Sequence, residues 1–164
     1  TMPNTIPSDV QATIETAKEG IRQKIAKNPN TMIMGAATWA VLKRHVQMKG
    51  MLANDRNRVL RTQDLADFFE IPNIYVGQAV QAADNGTVSD IWGDNIVLAY
   101  VPQGDGKTER TPFEPSFGYT LRKGTPVVDT YVESGGKIEL VRATEIFQPY
   151  LLGAEAGYLI FDCV

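Results

Sequence analysis

The hydrophobic period of this chain changes once, near Asn73, and that change limits the folds open to it. Before Asn73 apolar residues recur every three or four positions; after it they tend to alternate. In the first regime Val10, Ile14, Ala17, Ile21 and Ile25 form one stripe, with Glu15, Lys18, Glu19, Arg22 and Lys24 on the other faces. That spacing predicts an amphipathic helix lying on a core. Ser8 and Gln11 have the spacing of a capping box, so the helix is expected to start at Ser8. Asn28-Pro29-Asn30 is expected to end it near Lys27, because proline removes a donor and restricts the residue before it.

Thr31 to Met34 is a short apolar run closed by Gly35 and reads as a buried strand. Thr38 is expected to cap a second helix with Trp39, Leu42, Val46 and Met48 on its apolar face, Lys43, Arg44 and Lys49 towards its C-terminal end, and Gly50 as its stop. Asn54 to Arg61 reads as an exposed loop. Thr62 then introduces a short helix with Leu65, Ala66, Phe68 and Phe69, ended by Pro72.

In the second regime Ile74, Val76 and Val80 begin the sheet, followed by a turn at Asp84-Asn85-Gly86. Ile91-Trp92 and Ile96 to Val101 are further strand candidates, joined by hairpin chemistry at Gly93-Asp94-Asn95. Pro102 to Pro115 is rich in Gly, Pro and charge and reads as a long surface loop. Phe117 to Leu121, Pro126 to Val132, Lys137 to Thr144 and Gly157 to Val164 complete the strands, the second and third joined at Ser134-Gly135-Gly136. Helices early and sheet late make the fold class α+β.

At 164 residues, 43% hydrophobic and 21% charged, the chain has the material for one packed core or two joined lobes. A net charge of -3 with scattered Lys and Arg leaves no electrostatic footprint for sequence-specific nucleic-acid binding or for an anionic membrane. Cys163 is the single cysteine, which excludes a disulfide within the chain and fits a reducing cytoplasm. No apolar run approaches the roughly 20 residues that span a bilayer. Thr1 precedes Met2, so the chain is expected to be a piece of a longer product.

Catalytic and metal chemistry finds few residues to use, and no catalytic, cofactor or metal set is expected. His45 is the one histidine, so a metal site built on several histidines is excluded and any triad would depend on this side chain. Cys163, its conceivable nucleophilic partner, reads better as a small buried apolar residue. Gly104-Asp105-Gly106-Lys107-Thr108 resembles the end of a phosphate-binding loop, but Val101 stands where that motif needs glycine. Asp84, Asp90 and Asp94 lack the ligand order of a calcium loop, and Glu145 and Glu155 have no reason in sequence to meet.

The order of three stretches is more informative. The first is Asn28-Pro29-Asn30-Thr31-Met32-Ile33-Met34-Gly35 followed by Thr38-Trp39-Ala40-Val41-Leu42-Lys43-Arg44-His45. The second is Asp64-Leu65-Ala66-Asp67-Phe68-Phe69 leading to Ile74-Tyr75-Val76-Gly77-Gln78-Ala79, with Ile91 to Tyr100 behind it. The third is Ser116-Phe117-Gly118-Tyr119-Thr120, Val127-Val128-Asp129-Thr130-Tyr131 and Ala156-Gly157-Tyr158-Leu159-Ile160. In that order they resemble the C-terminal portion of tailed-phage major capsid proteins with the Hong Kong 97-type fold, without the N-terminal arm and extended loop of that family.

The resemblance implies a non-enzymatic shell subunit that assembles with copies of itself, with portal and scaffold proteins as further partners. It would be built in the host cytoplasm and reside in the virion. It implies a peripheral-domain spine helix at 1–27, an axial domain at 28–123 and strands returning to the peripheral domain at 124–164. The mixed-charge loop with Gly104, Asp105, Lys107, Glu109 and Arg110 is the candidate subunit contact. The rivals are an encapsulin-like compartment and a small enzyme using His45.

Overall fold

The first apolar stripe becomes α1, Val10–Ile25, with Val10, Ile14, Ala17 and Ile21 buried, in a computed structural model that describes residues 9–51, 59–102, 114–161 and 163. Its cap is Asp9, not Ser8. The Asp9 carboxylate accepts from the Ala12 backbone N–H at 2.9 Å and from the Gln47 side-chain amide at 3.1 Å. A carboxylate at the positive end of a helix is a stronger acceptor than a hydroxyl, which explains the one-residue shift. At the other end Ala26 takes the left-handed conformation at φ 55°, and its N–H closes on the Arg22 carbonyl at 2.8 Å. The helix therefore stops at Ile25, two residues before Lys27.

β1, Thr31–Gly35, follows as expected. The next helix differs from its expectation. α2, Ala36–Leu42, is capped by Gly35, while Thr38 lies inside it, fully buried, with a hydroxyl that finds no hydrogen-bond partner. Two successive i to i−3 bonds, Arg44 N–H to Val41 and His45 N–H to Leu42, tighten the chain and end the helix. α3, Val46–Met51, then starts in a new direction, so Met48 is buried while Val46 is 82% exposed and leaves the expected apolar face. α4, Thr62–Phe69, buries Leu65, Ala66 and Phe69. The Asp64 carboxylate accepts from the Arg61 N–H at 2.8 Å, and Glu70 ends the helix in the left-handed region at φ 55°, before Pro72 is reached.

β2, Asn73–Gly77, pairs parallel with β1, and the crossover that such a pair needs is supplied by α2, α3 and α4. β3, Val80–Ala82, and β4, Val88–Asp90, form a hairpin with Gly86 at φ 81° in its turn. Ile91 and Trp92 are not a strand: the Trp92 ring fills the space where a Cβ on Gly77 would stand, and Gly93 at φ 58° turns the chain. β5, Ile96–Ala99, returns antiparallel to β1. After the 3-10 turn Ala154–Ala156, β10, Gly157–Ile160, pairs antiparallel with β5 and completes a sheet of order β10-β5-β1-β2. Met32, Met34, Ile96 and Leu98 from this sheet, the α1 stripe, Leu42, Met48, Leu65, Phe69, Ile71 and Cys163 form one core. At about 1.5–3 kcal/mol for each large apolar side chain buried, this core holds the first compact unit together. That unit consists of residues 1–117 and 153–164.

The second unit is Gly118–Leu152. β6, Gly118–Arg122, pairs antiparallel with β9, Phe147–Leu151, and β7, Val127–Val132, with β8, Glu139–Thr144. Gly135 and Gly136, at φ 122° and 72°, make the expected turn of the β7–β8 hairpin. β9 is not among the strands expected from the sequence; its Pro149 cannot donate to a ladder, but a two-stranded ribbon consists only of edge strands, where proline is tolerated. Strand by strand this unit buries nothing. The whole is mixed α+β.

Candidate assembly surface

Residues 118–152 carry thirteen large apolar side chains that are at least two-fifths exposed or nearly so, from Leu121 to Leu152, and none of the unit's residues is buried. Two-stranded ribbons are marginal alone in water and need a further strand or layer. Large apolar groups left exposed in such number are the raw material of interaction sites.

The β7–β8 register sorts these side chains by face, since alternate residues of a strand point to opposite sides. One face holds Val127, Asp129 and Tyr131 from β7 and Leu140, Arg142 and Thr144 from β8. There the Asp129 carboxylate accepts from Arg142 Nε at 3.0 Å, and the Arg142 guanidinium lies 6.0 Å from the Tyr131 ring centroid. The other face holds Val128, Thr130 and Val132 opposite Ala143, Val141 and Glu139. Val128, Val132 and Val141 are 67%, 61% and 68% exposed, against 54%, 51% and 39% for Val127, Tyr131 and Leu140 on the ion-paired face. Arg122, at the end of β6, and Glu145, in the link between β8 and β9, form an ion pair at 2.7 Å. The sequence signal for such a surface was present in the adjacent apolar pairs Val127-Val128, Tyr131-Val132 and Leu140-Val141. Doublets put apolar groups on both faces of a strand, the mark of a strand covered on both sides.

The side chains considered for chemistry do not converge. His45 is half-buried at the turn between α2 and α3; its Nδ1 has no hydrogen-bond partner, and no ion pair joins it to a carboxylate among the described residues. Cys163 is buried beside Val10, Thr13, Ile14, Leu42, Ile96 and Ile160, and its thiol lies 3.6 Å from the Ile160 carbonyl oxygen; His45 does not line that pocket. Glu145 is engaged by Arg122. Asp84 lies in the β3–β4 turn and Asp90 at the end of β4, while the Asp94 backbone carbonyl accepts from the Cys163 N–H at 3.2 Å. Among the described residues no His, Cys, Asp or Glu cluster has the arrangement to hold a metal ion. None of their helices is long and apolar enough to cross a membrane. The Tyr100 hydroxyl, raised above its ordinary pKa first by burial and then by its 3.2 Å bond to Glu114, stays protonated at neutral pH. Gly104, Asp105, Lys107, Glu109 and Arg110 lie outside the described residues.

The chain as a whole is similar to known proteins in three respects. A family profile for phage major capsid protein E matches residues 2–134. The major capsid protein of Burkholderia phage BcepMu is 53% identical over 154 residues, covering 93% of this chain and 50% of that protein. The crystal structure of a phage-related protein from Bordetella bronchiseptica RB50 is similar at a TM-score of 0.79 and 30% identity, over 95% of this chain and 50% of that one. The chain spans about half the length of the curated relative and of the solved structure it matches.

Proposed function

The chain belongs to the phage major capsid protein E family, and from that premise we propose that it is a structural, non-enzymatic part of a phage or prophage shell subunit that acts by assembling with copies of itself. The observation that carries this reading is the 118–152 unit, which presents thirteen exposed large apolar side chains and buries none. A shell subunit works by repeated burial of complementary surface under closed symmetry, so its function resides in such faces rather than in a pocket.

The fold is read as Hong Kong 97-like, with 1–27 as the spine helix, 28–123 as the axial domain and 124–164 as the strands returning to the peripheral domain. These ranges are roles within a shell and not compact units. The length of α1 and its continuous buried stripe support the spine assignment. The mixed charges of Asp105, Lys107, Glu109 and Arg110 support a subunit-contact role for the loop that holds them and Gly104. Portal and scaffold proteins are the further partners, the host cytoplasm the place of assembly, and the virion the destination. The family and the relative's name favour a phage shell and lend no support to an encapsulin-like compartment or an enzyme built on His45.

Electron microscopy of the full-length gene product tests this. Closed shells are expected; a product that remains monomeric at every concentration overturns it.

A further inference from the structure

We propose that Asn85 is a site of spontaneous covalent modification, converted through a cyclic imide to aspartate and isoaspartate, and that local opening of the β3–β4 hairpin sets its rate. The proposal does not depend on the capsid reading.

The sequence singles out one asparagine. An asparagine side chain is attacked by the main-chain nitrogen of the residue that follows it, and a side chain on that residue obstructs the approach. Of the eight asparagines only Asn85 is followed by glycine. Asn28 precedes Pro29, which has no amide proton to lose, and Asn30, Asn73 and Asn95 precede the β-branched Thr31, Ile74 and Ile96. Asn30 is further tied at both ends of its amide, which donates to the Val101 carbonyl at 2.6 Å and accepts from the Val101 N–H at 2.9 Å.

The turn around Asn85 prepares one reactant and holds back the other. Asn85 Oδ1 accepts from the Thr87 N–H at 2.9 Å, which fixes the carboxamide over its own main chain and draws electron density from Cγ. The Gly86 N–H donates to the Ala83 carbonyl at 2.8 Å, which keeps the proton of the attacking nitrogen engaged. Attack requires that bond to break. Little else resists, because every residue from Gln78 to Ile91 is exposed, the two strands hold three residues each, and an isolated hairpin is marginal in water. A segment of this kind opens without unfolding the core.

Once the turn opens, solvent base removes the Gly86 amide proton, the nitrogen bonds to Asn85 Cγ, and the Cγ–Nδ2 bond breaks with release of ammonia. Water then opens the imide. Hydrolysis at Cγ leaves aspartate in an ordinary main chain. Hydrolysis at the main-chain carbonyl leaves Gly86 joined through the side chain, as isoaspartate, and lengthens the backbone by a methylene. Either product sets a new carboxylate beside Asp84, in a stretch, 62–106, that holds no Lys or Arg. Isoaspartate also misaligns the Gly86 N–H with the Ala83 carbonyl, so the modified hairpin is looser.

The test incubates the full chain in mildly alkaline buffer and follows each asparagine by peptide mapping with mass spectrometry and by isoaspartate methyltransferase labelling. A peptide of residues 80–90 is the unstructured reference. Asn85 is expected to convert at least about tenfold faster than any other asparagine in the chain, and several-fold more slowly than it does in the peptide. Because the Ala83 N–H bonds to the Thr87 carbonyl, Ala82 and Val88 face each other as a non-hydrogen-bonded pair, at the spacing a disulfide takes. The double variant Ala82→Cys/Val88→Cys is expected to convert about tenfold more slowly when oxidised and at the wild-type rate when reduced, with the same circular dichroism in both forms. An Asn85 that stays intact while the peptide converts, or that converts no faster than the other asparagines, overturns the site. A rate in the chain equal to that of the peptide, or equal rates in the oxidised and reduced variant, overturns the control by the hairpin.

Discussion

The Lys18 ammonium donates a 2.9 Å hydrogen bond to the backbone carbonyl of Phe69, joining the long first helix to the last turn of α4 across 51 positions of sequence. The carbonyls of a helix's last turn lack intrahelical donors, and a cation placed there also meets the negative end of the helix dipole. Only 15% of the Lys18 side chain is exposed, so the bond is shielded from water, and Glu15 at 3.1 Å balances the charge.

Lys18→Met keeps the aliphatic stem and removes the donor, leaving the Phe69 carbonyl without it. The variant is expected to lose about 1–2 kcal/mol of stability, read as a lower urea midpoint at unchanged slope. A midpoint equal to wild type would show that water replaces the ammonium at no cost.

Glycine substitutions separate close packing from helix propensity. A Cβ on Gly35 would overlap the backbone carbonyl of Gly93, which no side-chain rotation can relieve. Gly35→Ala is therefore expected to cost about 3 kcal/mol as the turn behind it is displaced. Gly50, in α3, has nothing near its missing Cβ, and Gly50→Ala is expected to be stabilising by up to about 1 kcal/mol. Thermal unfolding of the two variants should shift in opposite directions.

Acid should weaken α1 through Glu19. Its carboxylate is lowered from 4.5 to about 2 by hydrogen bonds first from Arg22, at 2.7 and 2.6 Å, and then from Gln23. A folded-state value below the unfolded one means stabilisation that is present above about 4.5 and disappears as the pH falls towards about 2. The pair is exposed and the effect small. The Tm advantage of wild type over Glu19→Gln is expected at neutral pH and to vanish at the acid end of that window. Asp9 is lowered as well, first by the Ala12 N–H, and Asp9→Asn should remove its share of the acid sensitivity while leaving a competent cap.

Deleting 104–110 from the full-length gene product is expected to block capsomer formation while the monomer keeps its circular dichroism. Normal shells from the deletion would rule out a subunit-contact role for Asp105, Lys107, Glu109 and Arg110.

What could be read from the residues alone was local. The stripe from Val10 to Ile25 dictates a helix, Thr31 to Gly35 a strand, and Ser134-Gly135-Gly136 a hairpin turn, because period and turn chemistry act within a few positions. The absence of a histidine cluster was equally plain. Local preference yields where distant contacts compete with it. Asp9 displaced Ser8 as the cap of α1, with Gln47 reaching its carboxylate from far along the chain. Thr38 was drawn into the core instead of capping, and Phe147 to Leu151 became a strand despite Pro149 because its partner, Gly118 to Arg122, leaves it an edge. Above all, the burial of Met32, Met34 and Leu98 contrasts with the exposure of equally apolar Val128 and Val141. A strand's alternation states which residues share a face; only the tertiary structure decides whether that face is covered, because the layer that covers it comes from elsewhere in the chain or from another molecule.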